Sequence, residues 1–302
     1  MSTSRGRRPI TRASGEGEIT VDTHVHLSTS DLLRYPRLAE FRFESRDFFN
    51  PVGSFLSAMN AADVTYATIV QPFALYGSDN SYHADSAISC PRRLRAICGL
   101  TPSEDAPASA RFWLFERGMA GLRLYVGSEQ DTLPGTPLDT MTAIAAEAAV
   151  PVTVVTSQQH IGTVATLAIR FAGVPVILDR LGGLREGVEG RLARLAPLAK
   201  IPNLYLKVTT AELLAPGGPE LIAMLVATFG ASRLLWGSNF PLTNLGGYAR
   251  TVALSRSALS DLTGGDRREI FGEAARRIWF ARPEYARRTP SRPAPLSMGN
   301  WH

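Results

Sequence analysis

Short apolar runs alternate with longer amphipathic segments along most of the chain. The runs are rich in Val, Ile and Leu and are bounded by Gly, Pro or polar residues, a pattern typical of strands buried on both faces. We predict strands at residues 19–27, 64–71, 94–100, 120–126, 151–156, 174–180, 203–209 and 233–239. Their regular spacing indicates one parallel sheet whose strands are joined by helices.

The segments between these runs have the apolar spacing of helices. We predict helices at residues 51–62, 107–118, 138–149, 160–172, 188–200, 219–230, 248–262 and 266–280, and a shorter one that ends near Cys90. Residues 32–50 predict a long irregular loop after the first strand. Eight strand–helix units in about 265 residues match a single (β/α)8 TIM barrel. A doubly wound α/β sheet is the alternative, but no glycine-rich phosphate loop follows the first strand.

The two ends of the chain differ in composition from its middle. Arg residues crowd residues 1–17 and the Pro-rich residues 283–302, so we predict flexible basic tails there and a barrel domain at residues 18–282. The net charge of +5 resides mostly in these tails. No basic patch interleaved with aromatic residues occurs in the body of the sequence, and we therefore predict no nucleic-acid partner.

Cysteine content and hydropathy indicate the compartment. Only Cys90 and Cys98 occur, which excludes a disulfide scaffold and fits a reducing environment. The N-terminus lacks the apolar core of a signal peptide, and no run is long enough to span a membrane. We predict a cytoplasmic protein without a membrane partner.

The first strand ends in two histidines, His24 and His26. Because residues i and i+2 of a strand share a face, Asp22, His24 and His26 are predicted to point to the same side. Two imidazoles at a strand end can hold a metal ion or a carboxylate, and active sites of TIM barrels lie at the carboxyl ends of the strands. Asp22 either orients His24 through a hydrogen bond or satisfies backbone groups at the barrel floor.

Other strand ends carry polar side chains where a buried strand would otherwise be apolar. They are Gln71, Arg123, Tyr125, Thr156, Arg180, Lys207 and Asn239. If Arg123, Arg180 and Lys207 all point inward, they form a cationic mouth around the histidines, which predicts an anionic substrate. The alternation of a strand predicts that Asp179 faces away from Arg180 and forms an ion pair behind the sheet.

Six segments of the chain carry a family resemblance. They are Val21-Asp-Thr-His-Val-His26, Tyr76-Gly-Ser-Asp-Asn-Ser-Tyr82, Gly121-Leu-Arg123, Val176-Ile-Leu-Asp-Arg-Leu-Gly182, Leu206-Lys207 and Leu235-Trp-Gly-Ser-Asn-Phe-Pro241. In these segments the chain resembles the amidohydrolase-related TIM-barrel hydrolases, and within them the dicarboxylate and sugar lactonases. The pairing of the first-strand histidines with the strand-eight Trp-Gly-Ser-x-Phe-Pro is the specific part of the match.

The resemblance implies a metal site from which this sequence departs. In metal-dependent members, the strand-one histidines, ligands on strands four, five or six, and a strand-eight Asp hold the metal. Here Asn239 stands at the Asp position, Arg180 stands at the strand-six His position, and strand five ends in Thr156, with His160 further on. A catalytic Zn²⁺ normally needs three protein ligands. We therefore favour a site without a cofactor; one divalent metal such as Zn²⁺, held by His24 and His26, is the alternative.

The same resemblance suggests roles for individual side chains. In metal-free lactonase relatives the paired histidines bind carboxylate or carbonyl groups, and we expect His24 and His26 to act catalytically in that way. Asn239 cannot accept a proton at neutral pH, so it either donates a hydrogen bond to an oxyanion or holds the strand-eight turn. His83 is either a replacement acid or base or a solvent-exposed residue at a helix start.

The expected substrate contacts are cationic or aromatic. They come from Tyr82, Arg123, Tyr125, Arg180 and Lys207. Arg123 matches the Gly-x-Arg position of the family and could bind a carboxylate through two parallel hydrogen bonds, or else pair with a loop acid. Lys207 faces either inward or toward the helices, depending on the phase of the strand period.

The resemblance implies an enzyme that hydrolyses or forms a lactone, ester or cyclic amide on a small anionic substrate. Loss of the strand-eight Asp also allows a repurposed cyclase, dehydratase, isomerase or decarboxylase, as in natural-product biosynthesis. A third hypothesis is a catalytically inactive barrel that binds a small acid. Barrels of this group often dimerise, so a homodimer is one expected assembly.

Overall fold

The computed structural model describes residues 18–39, 49–128 and 130–281, apart from the side chain of Thr132. The tails predicted at residues 1–17 and 283–302 lie outside these described residues, and so does the middle of the predicted loop 32–50. The family resemblance and the candidate side chains all fall within the described part of the chain.

Eight parallel strands form one sheet in which each strand pairs with the next strand along the chain. They are β1 (Val21–Val25), β2 (Tyr66–Val70), β3 (Leu94–Leu100), β4 (Leu122–Tyr125), β5 (Val152–Val155), β6 (Val176–Leu178), β7 (Leu204–Thr209) and β8 (Leu234–Gly237). The sheet closes where Val25 bridges to Phe240 and the Asn239 amide donates to the His24 carbonyl at 2.8 Å. The predicted (β/α)8 barrel is confirmed.

Helices follow the strands and pack around the barrel. They are α1 (Val52–Ala61), α2 (Phe73–Tyr76), α3 (Ser81–Ser89), α4 (Ala106–Arg111), α5 (Pro137–Glu147), α6 (Ile161–Arg170), α7 (Val188–Leu195), α8 (Thr210–Leu214), α9 (Gly218–Phe229), α10 (Tyr248–Ala258), α11 (Gly264–Arg268) and α12 (Ala274–Trp279). A π-helical turn follows α4 at Phe112–Glu116, and another joins α11 to α12 at Glu269–Glu273. In the described part of the chain, every helix is too short or too polar to cross a lipid bilayer.

The short helices α2 and α8 escaped the sequence analysis because each is too short to show an apolar period. The first turn of α8 is fixed by a capping box: the Glu212 carboxylate accepts from the Thr209 backbone amide at 2.8 Å. Helix α8 therefore starts directly at the carboxyl end of β7, beside the mouth of the barrel.

Side chains alternate between the barrel interior and the layer under the helices. On β6 and β7, Leu178 and Leu206 pack into the outer hydrophobic core. The residues next to them, Asp179 and Lys207, therefore face the interior. Lys207 thus points inward as the cationic-mouth prediction requires, whereas the outward orientation predicted for Asp179 is wrong.

A β-bulge interrupts the alternation on β1. Asp22 is level with Ala67 of β2, whereas Val25, three residues on, is level with Ile69, so β1 holds one extra residue. As a result, Asp22 does not share a face with His24. Its carboxylate accepts from the backbone amides of His24 at 3.1 Å and Ser238 at 2.8 Å and from the Tyr248 hydroxyl at 2.9 Å. These contacts correct the same-face prediction and support the interpretation in which Asp22 satisfies backbone groups.

The amino end of the barrel is closed by the last helix. Trp279 and Ile278 of α12 pack with Val21, Ile97 and other interior side chains in a separate apolar cluster. Trp279 is fully buried, and its carbonyl accepts from the Arg95 side chain at 3.2 Å. This plug leaves the carboxyl end as the side of the barrel on which polar interior side chains gather.

Candidate active site

Five polar side chains from the carboxyl ends of four strands meet inside the barrel. They are His24, His26, Arg123, Asp179 and Lys207. Each is at least nine-tenths buried, which is exceptional for charged groups unless they are paired. The sequence predicted four of them as site residues and placed Asp179 outside the site.

The two histidines face each other through their Nε2 atoms, which lie 3.2 Å apart. His26 Nδ1 lies 2.8 Å from the Val70 carbonyl, and His24 Nδ1 lies 3.3 Å from the Asp179 carboxylate. Because both of these neighbours are acceptors, we assign the ring proton to Nδ1 in each case. Nε2 is then the unprotonated nitrogen of both rings, so their 3.2 Å contact is not a hydrogen bond. The two lone pairs converge on one spot, where a proton donor such as water can lie.

Gly237 makes room for the His24 ring position. A Cβ atom on Gly237 would lie 2.5 Å from the Cβ of His24 and 2.9 Å from its backbone nitrogen. Such a contact is far inside van der Waals distance, so only glycine fits on β8 beside the β1 bulge. The Trp-Gly-Ser segment therefore helps to set the geometry of the histidine pair.

Asp179 is the hub of the cluster. Its Oδ2 accepts from Arg123 Nε at 3.0 Å and Nη2 at 2.8 Å. Its Oδ1 lies 3.3 Å from His24 Nδ1 and 3.8 Å from Lys207 Nζ. One carboxylate thus orients a histidine and offsets two buried cations.

The position of Asp179 follows from the alternation on β6, in which Ile177 is interior and Leu178 is in the outer core. This strand ends at Leu178, and the next residues turn left-handed: φ is 49° at Arg180 and 51° at Leu181. The turn sends Arg180 to the rim, where its Nε lies 3.4 Å from Glu212 and 47% of its side chain is exposed. The predicted inward Arg180 is therefore wrong, and Asp179 holds the interior position expected for Arg180.

The cluster perturbs the acidity of its members. Burial would raise the pKa of Asp179, but Arg123, His24 and Lys207 outweigh it and hold that pKa well below its usual range. Burial lowers the pKa of His24 to about 4 against the opposing Asp179 carboxylate. Burial also lowers the pKa of His26 well below its usual value, with a further contribution from His24. At neutral pH the site holds neutral imidazoles and an ionised Asp179.

The two cations differ in character. Burial would lower the pKa of Arg123, but Asp179 and Tyr125 keep it above its ordinary value, so Arg123 is always charged. Burial lowers the pKa of Lys207 to about 8, only partly countered by Asp179. Arg123 Nη1 also donates to the Tyr125 hydroxyl at 2.7 Å. Its guanidinium is thus already engaged by protein groups on two sides, rather than presenting an open fork for a carboxylate.

Asn239 lies at the mouth in a tight turn. Its φ is 57°, its backbone carbonyl accepts from the Thr243 amide at 2.9 Å, and its side-chain Nδ2 donates to Thr243 Oγ1 at 3.1 Å. These contacts support the structural interpretation of Asn239. The predicted oxyanion role stays a prediction.

His83 and Tyr82 lie on α3, behind the strand ends. The Tyr82 hydroxyl accepts from the Val52 amide at 3.0 Å and its ring contacts Tyr35, so Tyr82 joins the packing of α1 and α3. His83 is fully buried, which excludes the solvent-exposed interpretation. Burial lowers its pKa to about 3, and it lies close enough to His26 to lower the pKa of that ring as well.

The donor set does not fit a catalytic metal. Within residues 18–39, 49–128 and 130–281, no group of three or more His, Cys, Asp or Glu side chains is placed to hold an ion. The carboxylate nearest to the histidines, Asp179, is already bonded to Arg123 and lies close to Lys207, and both cations oppose a metal ion there. An amide at Asn239 and the half-buried Thr156 stand at the other expected positions.

Comparison with known proteins identifies relatives of this barrel. A family model described as amidohydrolase matches residues 21–281. No curated protein matches the chain. A candidate 2-pyrone-4,6-dicarboxylic acid hydrolase from Pseudomonas putida has a similar structure, with a TM-score of 0.70 and 21% identity, covering 86% of this chain and 97% of the other.

Two further solved structures show the same fold. An amidohydrolase from Burkholderia multivorans has a TM-score of 0.67 and 17% identity over 89% of this chain and 99% of its own. A 2,6-dihydroxybenzoate decarboxylase from Rhizobium has a TM-score of 0.63 and 14% identity over 86% of this chain and 98% of its own. Similar structures thus include proteins named for hydrolysis and for decarboxylation.

Proposed function

Because this chain belongs to the amidohydrolase family, we propose that it hydrolyses or forms a lactone or related ester on a small carboxylate-bearing substrate, without a catalytic metal. The observation that carries the proposal is the Asp179 hub, which joins a histidine base to two buried cations. The names of the Pseudomonas and Rhizobium proteins, a dicarboxylic acid hydrolase and a benzoate decarboxylase, support a carboxylate-bearing substrate.

The base in this proposal is His24. Its Nδ1 faces Asp179 and its Nε2 faces the histidine pair, the arrangement in which a carboxylate fixes the tautomer of an imidazole and stabilises its protonated form. A water molecule at Nε2 gives up a proton to His24 as its oxygen attacks the ester carbonyl. His26 Nε2, 3.2 Å away, lines the same spot and restricts where the water can lie.

Arg123 supplies the charge that the reaction needs. Three of its five N–H groups are directed at Asp179 and Tyr125, which leaves two for the substrate among the contacts of the described residues. These can contact the carbonyl oxygen as it becomes negative, in a buried site where such stabilisation is strong. When the carbon–oxygen bond breaks, the leaving alkoxide takes the proton from His24 Nε2. Ring closure is the reverse sequence.

The proposal is tested with purified protein whose metal content has been measured by elemental analysis. Lactones that carry a carboxylate are incubated with it, and acid release is followed in a pH-stat. We expect turnover with less than about 0.1 equivalent of metal per chain, unaffected by chelator, and abolished by His24→Gln. Turnover that scales with bound metal would overturn the metal-free reaction.

Decarboxylation is the second candidate, because Asn239 replaces the acid that the family resemblance expects on β8. The same samples are therefore incubated with hydroxybenzoates, and released carbon dioxide is measured. Carbon dioxide release without acid release from any lactone would select this candidate. Binding of carboxylates without turnover of either substrate class would favour the inactive barrel.

A further inference from the structure

Gln71, directly after β2, has an amide whose orientation is fixed. Its Nε2 donates to the Gly77 carbonyl at 2.7 Å and to the Asp79 carbonyl at 3.1 Å. Both amide hydrogens are therefore used, and a flipped amide would turn its oxygen toward two carbonyls. Gln71 is fully buried, so Oε1 is held rigidly on the opposite side.

Gly99 shows where that oxygen points. Cys98 and Leu100 of β3 pack into the outer core, while Ile97 belongs to the inner cluster, so the side-chain direction at Gly99 is inward. A Cβ on Gly99 would overlap Gln71 Oε1. The amide oxygen therefore occupies the interior space at Gly99, inside the mouth of the barrel.

This oxygen is next to the catalytic cluster. Gly99 pairs with Arg123 on β4, and Gln71 directly follows Val70, whose carbonyl lies 2.8 Å from His26 Nδ1. Gly99 is itself clamped by Asn80, whose Oδ1 accepts from the Gly99 amide at 2.9 Å. The wall formed by Gln71, Gly99 and Asn80 is thus rigid and borders Arg123.

Gln71 Oε1 has no hydrogen-bond donor among the residues that the structure describes. A buried acceptor without a donor costs roughly 1–3 kcal/mol, so such groups are normally satisfied by water or a ligand. The spare donors of Arg123 and Lys207 do not reach it, which leaves a bound ligand or water to donate to it.

We propose that Gln71 Oε1 is a specificity-determining acceptor that selects substrates carrying a hydroxyl group beside the carboxylate. The inference rests on the proposed function, because it assumes that the carboxylate-bearing substrate lies beside Arg123. A hydroxyl fits better than an amine, because an ammonium ion would be repelled by Arg123 and Lys207. The substrate class is therefore a small carboxylate that carries a free hydroxyl group beside it.

The test compares ligands on the unmodified protein by isothermal titration calorimetry. The probes are benzoate, its three monohydroxy isomers and the matching methoxybenzoates, which keep the oxygen but lack the donor. We expect at least one hydroxy isomer to bind about tenfold or more tightly than benzoate and than its own methoxy ether, because an unpaired acceptor is costly. Equal binding of all hydroxy isomers and benzoate would overturn the inference while leaving carboxylate binding intact. Absence of binding by every carboxylate would instead overturn the proposed function and the inference with it.

Two variants locate the effect at Gln71. Gln71→Met removes the acceptor, and Gly99→Ala keeps Gln71 but forces its amide out of the interior space. Each is expected to abolish the hydroxyl preference while benzoate affinity changes less than about threefold. Gly99→Ala keeps the test valid if Gln71→Met fails to fold for lack of its two carbonyl contacts. Gln159→Met, at an exposed position after β5, is the matched control and should keep the full preference. A hydroxyl preference that survives in Gly99→Ala would contradict the assignment.

Discussion

The two ends of the barrel interior differ in polarity: the amino end is apolar and the carboxyl end is charged. The amino end is closed by Trp279 and Ile278 among other apolar interior side chains, with Arg95 outside them on the Trp279 carbonyl. The carboxyl end buries His24, Asp179 and Lys207 in direct or near contact. Burial at the amino end follows the hydrophobic effect, whereas burial at the carboxyl end opposes the solvation of charge. The amino end therefore stabilises the fold. At the carboxyl end, burying charged side chains costs part of that stability and creates the site for the proposed reaction.

The largest expected effect at the carboxyl end is that of Asp179→Asn. The amide no longer holds the His24 tautomer or offsets two cations. We therefore expect kcat/KM to fall about 10³-fold or more on a lactone that the unmodified protein turns over. Unpaired buried charge should also lower the free energy of unfolding by about 3–5 kcal/mol. Steady-state kinetics and urea unfolding measure the two effects.

The double variant Asp179→Asn with Lys207→Met separates these effects. Removing the second buried cation should recover part of the stability and none of the rate. Recovery of rate together with stability would mean that Asp179 acts only on the fold.

At the amino end, Trp279→Ala should have the reverse signature. Loss of a fully buried indole leaves a cavity, and we expect the free energy of unfolding to fall by about 3–5 kcal/mol. Because Trp279 does not touch the site, kcat/KM per folded molecule should change less than about threefold. Phe115→Ala, at a side chain that is 38% exposed, is the control and should change stability little. If Trp279→Ala instead caused a large loss of rate with little loss of stability, the assignment of stability to the amino end and activity to the carboxyl end would be wrong.

The pH dependence of the reaction tests the neutral histidine base. Burial lowers the pKa of His24 to about 4, so its basic form persists as the pH falls through the range in which ordinary histidines become protonated. We expect kcat/KM to stay within about threefold between pH 7 and pH 5 and to fall only near pH 4. An acidic limb near pH 6.5 would show that the base is a solvated histidine outside this cluster.

Lys207→Met should move activity and stability in opposite directions. The buried ammonium lies 3.8 Å from Asp179 and has no hydrogen-bond partner among the described residues, so an apolar side chain of similar length should stabilise the fold by about 1–2 kcal/mol at pH 7. Activity should fall, because the site loses a positive charge beside Asp179. Parallel losses of stability and activity would contradict this account.

The pH dependence of that stability difference has a defined sign. In the folded protein the pKa of Lys207 is lowered from 10.5 to about 8, so between these values the unfolded chain binds more protons. The unmodified protein should therefore gain stability from this group as the pH rises from 8 to 10.5. Below pH 8 the difference between the variant and the unmodified protein should be constant. Urea unfolding at a series of pH values measures it.

The strands, the helix order and the closed barrel could be predicted because they depend on repeated apolar patterns that tertiary contacts reinforce. The histidine pair, Arg123 and Lys207 were also found, since strand ends of a barrel converge on one place. These predictions needed only the alternation of a regular strand, which β4 and β7 follow.

The two errors of side-chain direction have different causes. A bulge on β1 turned Asp22 away from the histidines. On β6 the strand alternates regularly, but the sequence did not show which of its two faces is interior, and Asp179 rather than Arg180 lies on that face. No glycine stands at the β1 bulge or at the left-handed residues Arg180 and Leu181, so the sequence does not mark either irregularity at its own position. The run of two glycines directly after Leu181 was the one local indication of an unusual turn.

Substitution of Arg180 has the smallest expected effect, in contrast to the same substitution at Arg123. Its side chain is half-exposed on the rim and pairs with Glu212, so solvent screens its charge from the interior. We expect Arg180→Ala to change kcat/KM less than about threefold, whereas Arg123→Ala, which removes the buried partner of Asp179, should reduce it about 100-fold or more. The two substitutions are chemically identical. They differ only in that Arg123 is buried in the site and Arg180 is exposed on the rim. If Arg180→Ala were the more damaging of the two, the rim arginine would have to swing inward when substrate binds, and the boundary between site and surface drawn at Asp179 would be misplaced.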